Sequence, residues 1–434
     1  MSATEFVSAW SRRVLFGGLF VLVANSASGA PGDPLGPAFT VSSDPGETAG
    51  VISVASSRDG DFVALLSGDS RLLARVFAAD GTPRTDNFPI NGVSANGDIA
   101  ISDNGDVVAC WLQSGPDGAL GVYARRFTSE GVPLGDEMFV GGPDAPRFGQ
   151  VSRGRCSVAV DAEGDFVVGW SEGQQRQFGG STACVVGRGL CVELDDYKVK
   201  LRRYTRGGTR AQRTRTLARS AEYRVSLIAG VVGGSDIRSV DVDMAPDGTF
   251  VAAWNVYGGS AAIHLFDGTY VQRFSALGLP GIRQVVSLSG MERVGTSTPS
   301  VSMADDGSYV VAYRTRSSDP DDLSRNVSAR VYPAFGFAGP AFQVNDAGLK
   351  QSSALNTAMD AAGNFVIGWS DWTDDNRAGY VQRHARGGGA LGVNFTVDPG
   401  AETALVAMGG NGDFLVTWFD RDSDQAMARL YDGP

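Results

Sequence analysis

Leu35-Gly36-Pro37-Ala38-Phe39-Thr40-Val41, near the start of the chain, is repeated as Leu391-Gly392-Val393-Asn394-Phe395-Thr396-Val397 near its end. The later copy completes a repeating unit, whereas the earlier one precedes any unit and stands alone. Working inward, a Gly recurs at 60, 105, 164, 248, 307, 363 and 412. Six residues after it stands a large side chain: Leu66, Trp111, Trp170, Trp254, Tyr313, Trp369 or Trp418. Six residues before it stands Val54, Ile99, Val158, Val242, Val301, Thr357 or Val406. Apolar run, Gly turn, apolar run is the pattern of a β-hairpin.

A second motif follows each hairpin. It reads Ala74-Arg75-Val76-Phe77 in the first unit, Ala124-Arg125-Arg126-Phe127 in the second and Ala428-Arg429-Leu430-Tyr431 in the last. In the first six units a Gly turn and a Phe-x-Val-like strand come next. Each unit therefore reads as four short antiparallel strands, A to D. The seventh lacks its fourth strand, and the lone copy at 35–41 supplies it. Units of this size, with one split between the termini, predict an all-β fold: a seven-bladed β-propeller whose last blade is closed by the N-terminal strand. The single propeller domain is expected over 31–434, with insertions in blade 3 at about 171–196 and 205–237.

The Asp161-Ala162-Glu163-Gly164-Asp165-Phe166-Val167-Val168-Gly169-Trp170 unit and the Ala-Arg-Arg-Phe unit resemble those of secreted bacterial seven-bladed β-propellers, over about residues 34–434. The resemblance is architectural and implies no activity. Sialidase-type Asp boxes, dense calcium repeats and Gly-His/Trp-Asp blades do not match the spacing.

Residues 1–30 read as an export signal. Arg12 and Arg13 precede the apolar run Val14–Val23 and the small residues Ala24–Ala30, and the double arginine resembles a twin-arginine signal. A secreted or periplasmic protein is expected. No later stretch is long enough to span a bilayer.

Composition narrows the function. The 434 residues carry 37 Lys and Arg against 48 Asp and Glu, a net charge of −11. No basic surplus is left to displace counterions from a nucleic acid. Only His264 and His384 are present, and only four cysteines, so a zinc site or a His-based triad has little to draw on. His384 stands in the register of Phe77 and reads as a structural substitution. The repeated Trp residues read as fillers between blades.

Three groups of residues interrupt the uniformity. Strand A, the innermost, carries small or neutral residues in most blades but Asp98 in blade 2 and Asp241 and Asp243 in blade 4. These read either as hydrogen-bonded ties between blades or as catalytic carboxylates near the channel. The B–C loops of blades 5 to 7 carry Asp319, Asp321, Asp322, Asp371, Asp374, Asp375, Asp420, Asp422 and Asp424, a solvated rim or a calcium site. Blade 3 carries Cys184 and Cys191, whose spacing suggests a local disulfide, and a basic run from Arg202 to Arg219 that suits an anionic glycan or a phosphate surface. Cys110 and Cys156 stand at the boundary of blades 2 and 3, either bridged or as two buried thiols.

The favoured expectation is a monomeric, non-enzymatic exported propeller that binds an envelope protein or a glycan through its loop-rich face, with calcium as a candidate cofactor. The alternative is a polysaccharide-acting enzyme, a hydrolase or lyase, using Asp98, Asp241 or Asp243. Carboxylates alone suffice for glycoside cleavage at the right separation.

Overall fold

The computed structural model describes residues 32–433 except 45–49, 69–70, 91–96, 115–119, 143–154, 179–190, 228–229, 233–234, 237–238, 259–267, 289–292, 295–298, 317–324, 347–351 and 374–375. These residues form seven antiparallel sheets, each built on four strands, with short fifth strands in blades 3, 4 and 5. Blade 1 shows the plan: strands A Gly50–Ser56, B Phe62–Gly68, C Arg71–Phe77 and D Phe88–Pro89. The hairpin turn closes with Ser57 N donating to Asp61 O at 2.8 Å, and Gly60 takes φ 87°, a conformation that a side chain disfavours.

The ring closes as the split unit requires. Phe39–Thr40 pairs with the last strand, Gln425–Tyr431, in the register Phe39↔Ala428 and Thr40↔Met427. Val41 N donates to Ala426 O at 2.8 Å and Leu35 N to Leu430 O at 2.9 Å. Blade 1 grips this strand from the other side, because Arg75 Nη1 donates to Val41 O at 3.1 Å.

The core lies between blades. One cluster joins Val63, Leu65 and Val76 of blade 1 to Ile99, Ala109 and Trp111 of blade 2, and six more clusters fill the other seams. Trp111, Trp170, Trp254, Trp369 and Trp418 are fully buried there, as fillers should be. His384 stacks on Phe365 with centroids 4.9 Å apart, and Gly388 O lies 3.1 Å from its Nδ1. Burial pushes its pKa down to about 4. The Arg column ties blades on their outer side: Arg202 Nη1 donates to Val140 O of blade 2, and Arg429 Nη1 to Val397 O of blade 6.

Cys110 and Cys156 are disulfide-bonded, with Cα atoms 6.3 Å apart, which joins strand B of blade 2 to strand A of blade 3. The expected Cys184–Cys191 bridge lies outside the described residues, as do the signal segment 1–30 and His264. In blade 3 the first insertion continues the sheet. Strand B runs Phe166–Phe178 and strand C Cys191–Tyr204, and they stay in register to Phe178↔Val192. The C–D turn that follows is compact, with Thr205 N donating to Thr209 O at 2.8 Å. The extra length lies in strand D, Arg215–Leu227, and its continuation. No helix among the described residues is long and apolar enough to cross a membrane.

Candidate active site in the central channel

The innermost strands surround a central cavity of about 1020 Å³. Seven residues before each hairpin Gly, strand A carries Ser53, Asp98, Ser157, Asp241, Ser300, Asn356 and Leu405. Five of these side chains accept a backbone N–H from the next blade. Asp98 Oδ2 accepts from Val158 N at 2.9 Å, Ser157 Oγ from Val242 N at 3.2 Å and Asp241 Oδ2 from Val301 N at 2.8 Å. Ser300 Oγ accepts from Thr357 N at 3.0 Å and Asn356 Oδ1 from Val406 N at 3.0 Å. Inner strands that are not paired as a sheet are thus latched by side chains, which satisfies one backbone N–H on the inner edge of each of blades 3 to 7.

The expected tie between blades is therefore present, and the same carboxylates line the cavity. Asp98 Oδ1 accepts from Ser53 Oγ at 2.6 Å. Ser157 Oγ lies 3.0 Å from Asp98 Oδ2 and 2.9 Å from Asp241 Oδ1. Sharing one hydroxyl brings those two carboxylate oxygens within about 6 Å of each other, close to the range that double-displacement glycosidases use. Asp243 Oδ2 accepts from Met303 N at 2.7 Å and Ser302 Oγ at 3.2 Å.

Burial raises the pKa of all three carboxyls. For Asp241 the nearby Asp98 charge adds to burial, and the value reaches about 7; Asp243 reaches about 6. Hydrogen bonds oppose the shift at each, but desolvation of a charge in a protein-lined channel outweighs them.

The two ends of the channel differ. At the end formed by the A–B turns, Arg58 of blade 1 reaches across to pair with Asp305 of blade 5, and Arg58 N donates to Asp103 Oδ1 of blade 2 at 3.2 Å. This ion pair forms a bar across the opening. At the B–C end the lining includes Arg155, Arg314, Leu112 and Leu120. Arg155 is exposed, and Arg314 is 8% exposed. Two guanidinium groups thus stand above the sector that carries Asp98, Asp241 and Asp243. Sequence reasoning missed both, although a signal existed. The residue after the large side chain is Ser67, Leu112, Ser171, Asn255, Ser370 or Phe419 elsewhere, and Arg314 is the one charge in that column.

Of the acidic loop residues, Asp319, Asp321, Asp322, Asp374 and Asp375 lie outside the described residues. Asp371 sits in strand B of blade 6, opposite Ser352 and Ala378. Asp420 shapes its own turn, accepting from Asp422 N at 3.0 Å and Ser423 Oγ at 2.7 Å, while Asp424 has φ 56°. Cations share this sector: Arg377 Nη1 lies 3.1 Å from Glu402 Oε2, and Arg421 pairs with the same carboxylate. Among the described residues, no three His, Cys, Asp or Glu side chains are grouped to hold a metal ion.

No family model matches the chain, and no curated protein is similar to it in sequence. Solved structures share its fold. A polysaccharide lyase of family PL25, an ulvan lyase bound to -[GlcA(1-4)Rha3S]-, superposes with a TM-score of 0.54 at 9% identity, over 89% of this chain and 94% of that one. A second structure of a PL25 ulvan lyase gives a TM-score of 0.51 at 9% identity, with the same coverage of each chain. At these identities the likeness is one of fold: the seven-bladed propeller.

Proposed function

We propose that this protein is a polysaccharide-cleaving enzyme whose acid and base are Asp241 and Asp98. This corrects the non-enzymatic binder expected from the sequence. That expectation rested on the scarcity of histidine and on the uniformity of the blades. The likeness in fold to lyases, one of them bound to its polysaccharide, weighs against it, and so does a pair of channel carboxylates that needs no histidine.

One observation carries the reading: a single hydroxyl touches two carboxylates. A hydroxyl has one proton to donate, so both contacts are hydrogen bonds only if one carboxyl is itself protonated. Asp98 already accepts from Ser53, Val158 and Ser157, which suits the ionised form. Asp241 Oδ1 has Ser157 Oγ as its partner, and a proton there satisfies every group. Ser157 then accepts from Asp241 and Val242 N and donates to Asp98. Asp241 is the acid and Asp98 the base, and the raised pKa of Asp241, about 7, suits a proton donor near neutral pH.

In the reaction Asp241 would protonate the glycosidic oxygen as its bond to carbon breaks. Asp98 would act on the sugar itself, as nucleophile at the anomeric carbon in hydrolysis, or as the base that removes the proton beside a uronate carboxylate in elimination. Hydrolysis is compatible with two carboxylate oxygens no more than about 6 Å apart. Elimination is favoured by Arg155 and Arg314, which would neutralise an anionic sugar. The test is incubation with a panel of neutral, uronate and sulfated polysaccharides, read by new reducing ends and by the ultraviolet absorbance of unsaturated products. Cleavage is expected, with Asp98→Asn and Asp241→Asn each lowering kcat by about 10²–10⁴-fold. A pure, folded protein that cleaves no polymer of the panel would overturn the reading.

Export as a monomer belongs to the same proposal. The Cys110–Cys156 disulfide supports an oxidising compartment. N-terminal sequencing of the secreted protein and light scattering test these points. Calcium in the acidic loops of blades 5 to 7 is likewise proposed, and a melting point lowered by chelator would support it.

A further inference from the structure

The basic run of blade 3 divides in two. Arg202 and Arg203 are structural: Arg202 Nε donates to Thr214 Oγ1 at 2.8 Å, and Arg203 Nη2 lies 3.3 Å from Asp165 Oδ2. Arg206 pairs with Asp106 of blade 2 at 3.4 Å. Arg210, Arg213 and Arg215 are different. All three are exposed and have no ion pair among the described residues, in a chain of net charge −11.

Beside them blade 4 presents apolar side chains. Leu277 is 74% exposed and Leu279 63%, and Gln212 of blade 3 donates to Leu277 O, which holds the two turns together. Between them runs a groove of about 460 Å³, with Arg213 and Arg215 on one wall and Leu277 and Leu279 on the other. The exposed apolar surface continues through Ile282 to Phe335 and Phe337 of blade 5. Gln284 Nε2 donating to Gly336 O at 3.3 Å joins those blades. The groove lies among the C–D turns, on the face of the barred end of the channel.

We propose that this rim is a second glycan site, a groove for an anionic polysaccharide, separate from the channel. A pyranose presents an apolar C–H face and, when oxidised or sulfated, anionic substituents at its edge. One wall of this groove matches the first and the other wall the second. Guanidinium forks bind sulfate and carboxylate oxygens in pairs. A concave groove admits a chain, whereas a bilayer meets a convex or flat surface. The site tethers polymer on the outer edge of the propeller, and it stands whether or not the channel cleaves.

The test is affinity electrophoresis of the full chain through gels holding dextran sulfate or neutral dextran, which share a backbone and differ in charge. Retardation is expected with dextran sulfate alone. The triple variant Arg210→Ala, Arg213→Ala, Arg215→Ala should weaken it at least tenfold with an unchanged melting point. Leu277→Ser with Leu279→Ser should weaken it about threefold, and Asp241→Asn should leave it unchanged, which separates this site from the channel chemistry. Equal retardation of the triple variant and the native protein would overturn the proposal. So would no retardation by dextran sulfate together with sedimentation on phosphatidylglycerol vesicles that Phe335→Ala and Phe337→Ala abolish, since the rim would then be a membrane surface.

Discussion

Asp241, half-buried in the channel wall, and the buried His384 tilt stability with pH in opposite directions. The native pKa of Asp241, about 7, lies above its ordinary value, so the folded chain binds that proton more tightly than the unfolded chain. Its contribution is full below about pH 4 and is lost as pH rises toward 7. Asp243 and Asp161, each raised to about 6, act in the same direction. The native pKa of His384, about 4, lies below its ordinary value, so its contribution is present above about pH 6.5 and lost as pH falls toward 4. Melting curves from pH 4 to 8 test both. Asp241→Asn keeps a donor toward Ser157 and should flatten part of the decline between pH 4 and 7. His384→Phe keeps the stack on Phe365 and should melt higher than the native protein at pH 4.5 but not at pH 8. Neither effect was legible in sequence. His384 was readable as a ring in a column of rings, but its low pKa comes from the packing of Phe342 and Phe365 around it.

Strands act here in pairs of blades, so mutational costs should follow the seams. Trp254 is fully buried between blades 3 and 4, packed with Val240, Val242 and Phe274. Trp254→Ala should cost about 3–5 kcal/mol in chemical denaturation, because the sheets on either side cannot collapse into the space. Cys110→Ser with Cys156→Ser removes the disulfide between blades 2 and 3 and should cost about 2–4 kcal/mol, with no further loss on adding reductant. The Trp column could be assigned from repetition alone, since a large side chain in every blade must serve what every blade needs. The cysteine pairing could not, because it depends on strand B of one blade lying beside strand A of the next.

The whole ring depends on one short strand. Removing residues 31–42 should unpair Gln425–Tyr431, strip Arg75 of its partner Val41 and lower the melting point sharply; an unchanged melt would refute closure by the N-terminal strand. Seven blades, their strand order and the split seventh unit were all readable in the amino-acid sequence, because each rests on local periodicity and on turns that need Gly. The oddity of Asp98, Asp241 and Asp243 was readable too, as departures from a repeated pattern. What they do was decided by tertiary structure. Residues 143 positions apart in sequence meet one serine hydroxyl, and only the packing of blades 2, 3 and 4 around the channel makes that happen. The same holds for Arg155 and Arg314 at the channel mouth and for the bar of Arg58 and Asp305. Local pattern specifies a strand and the face it buries. Which charges share a cavity depends on how seven such sheets are turned toward one axis, and that is a property of the packed molecule.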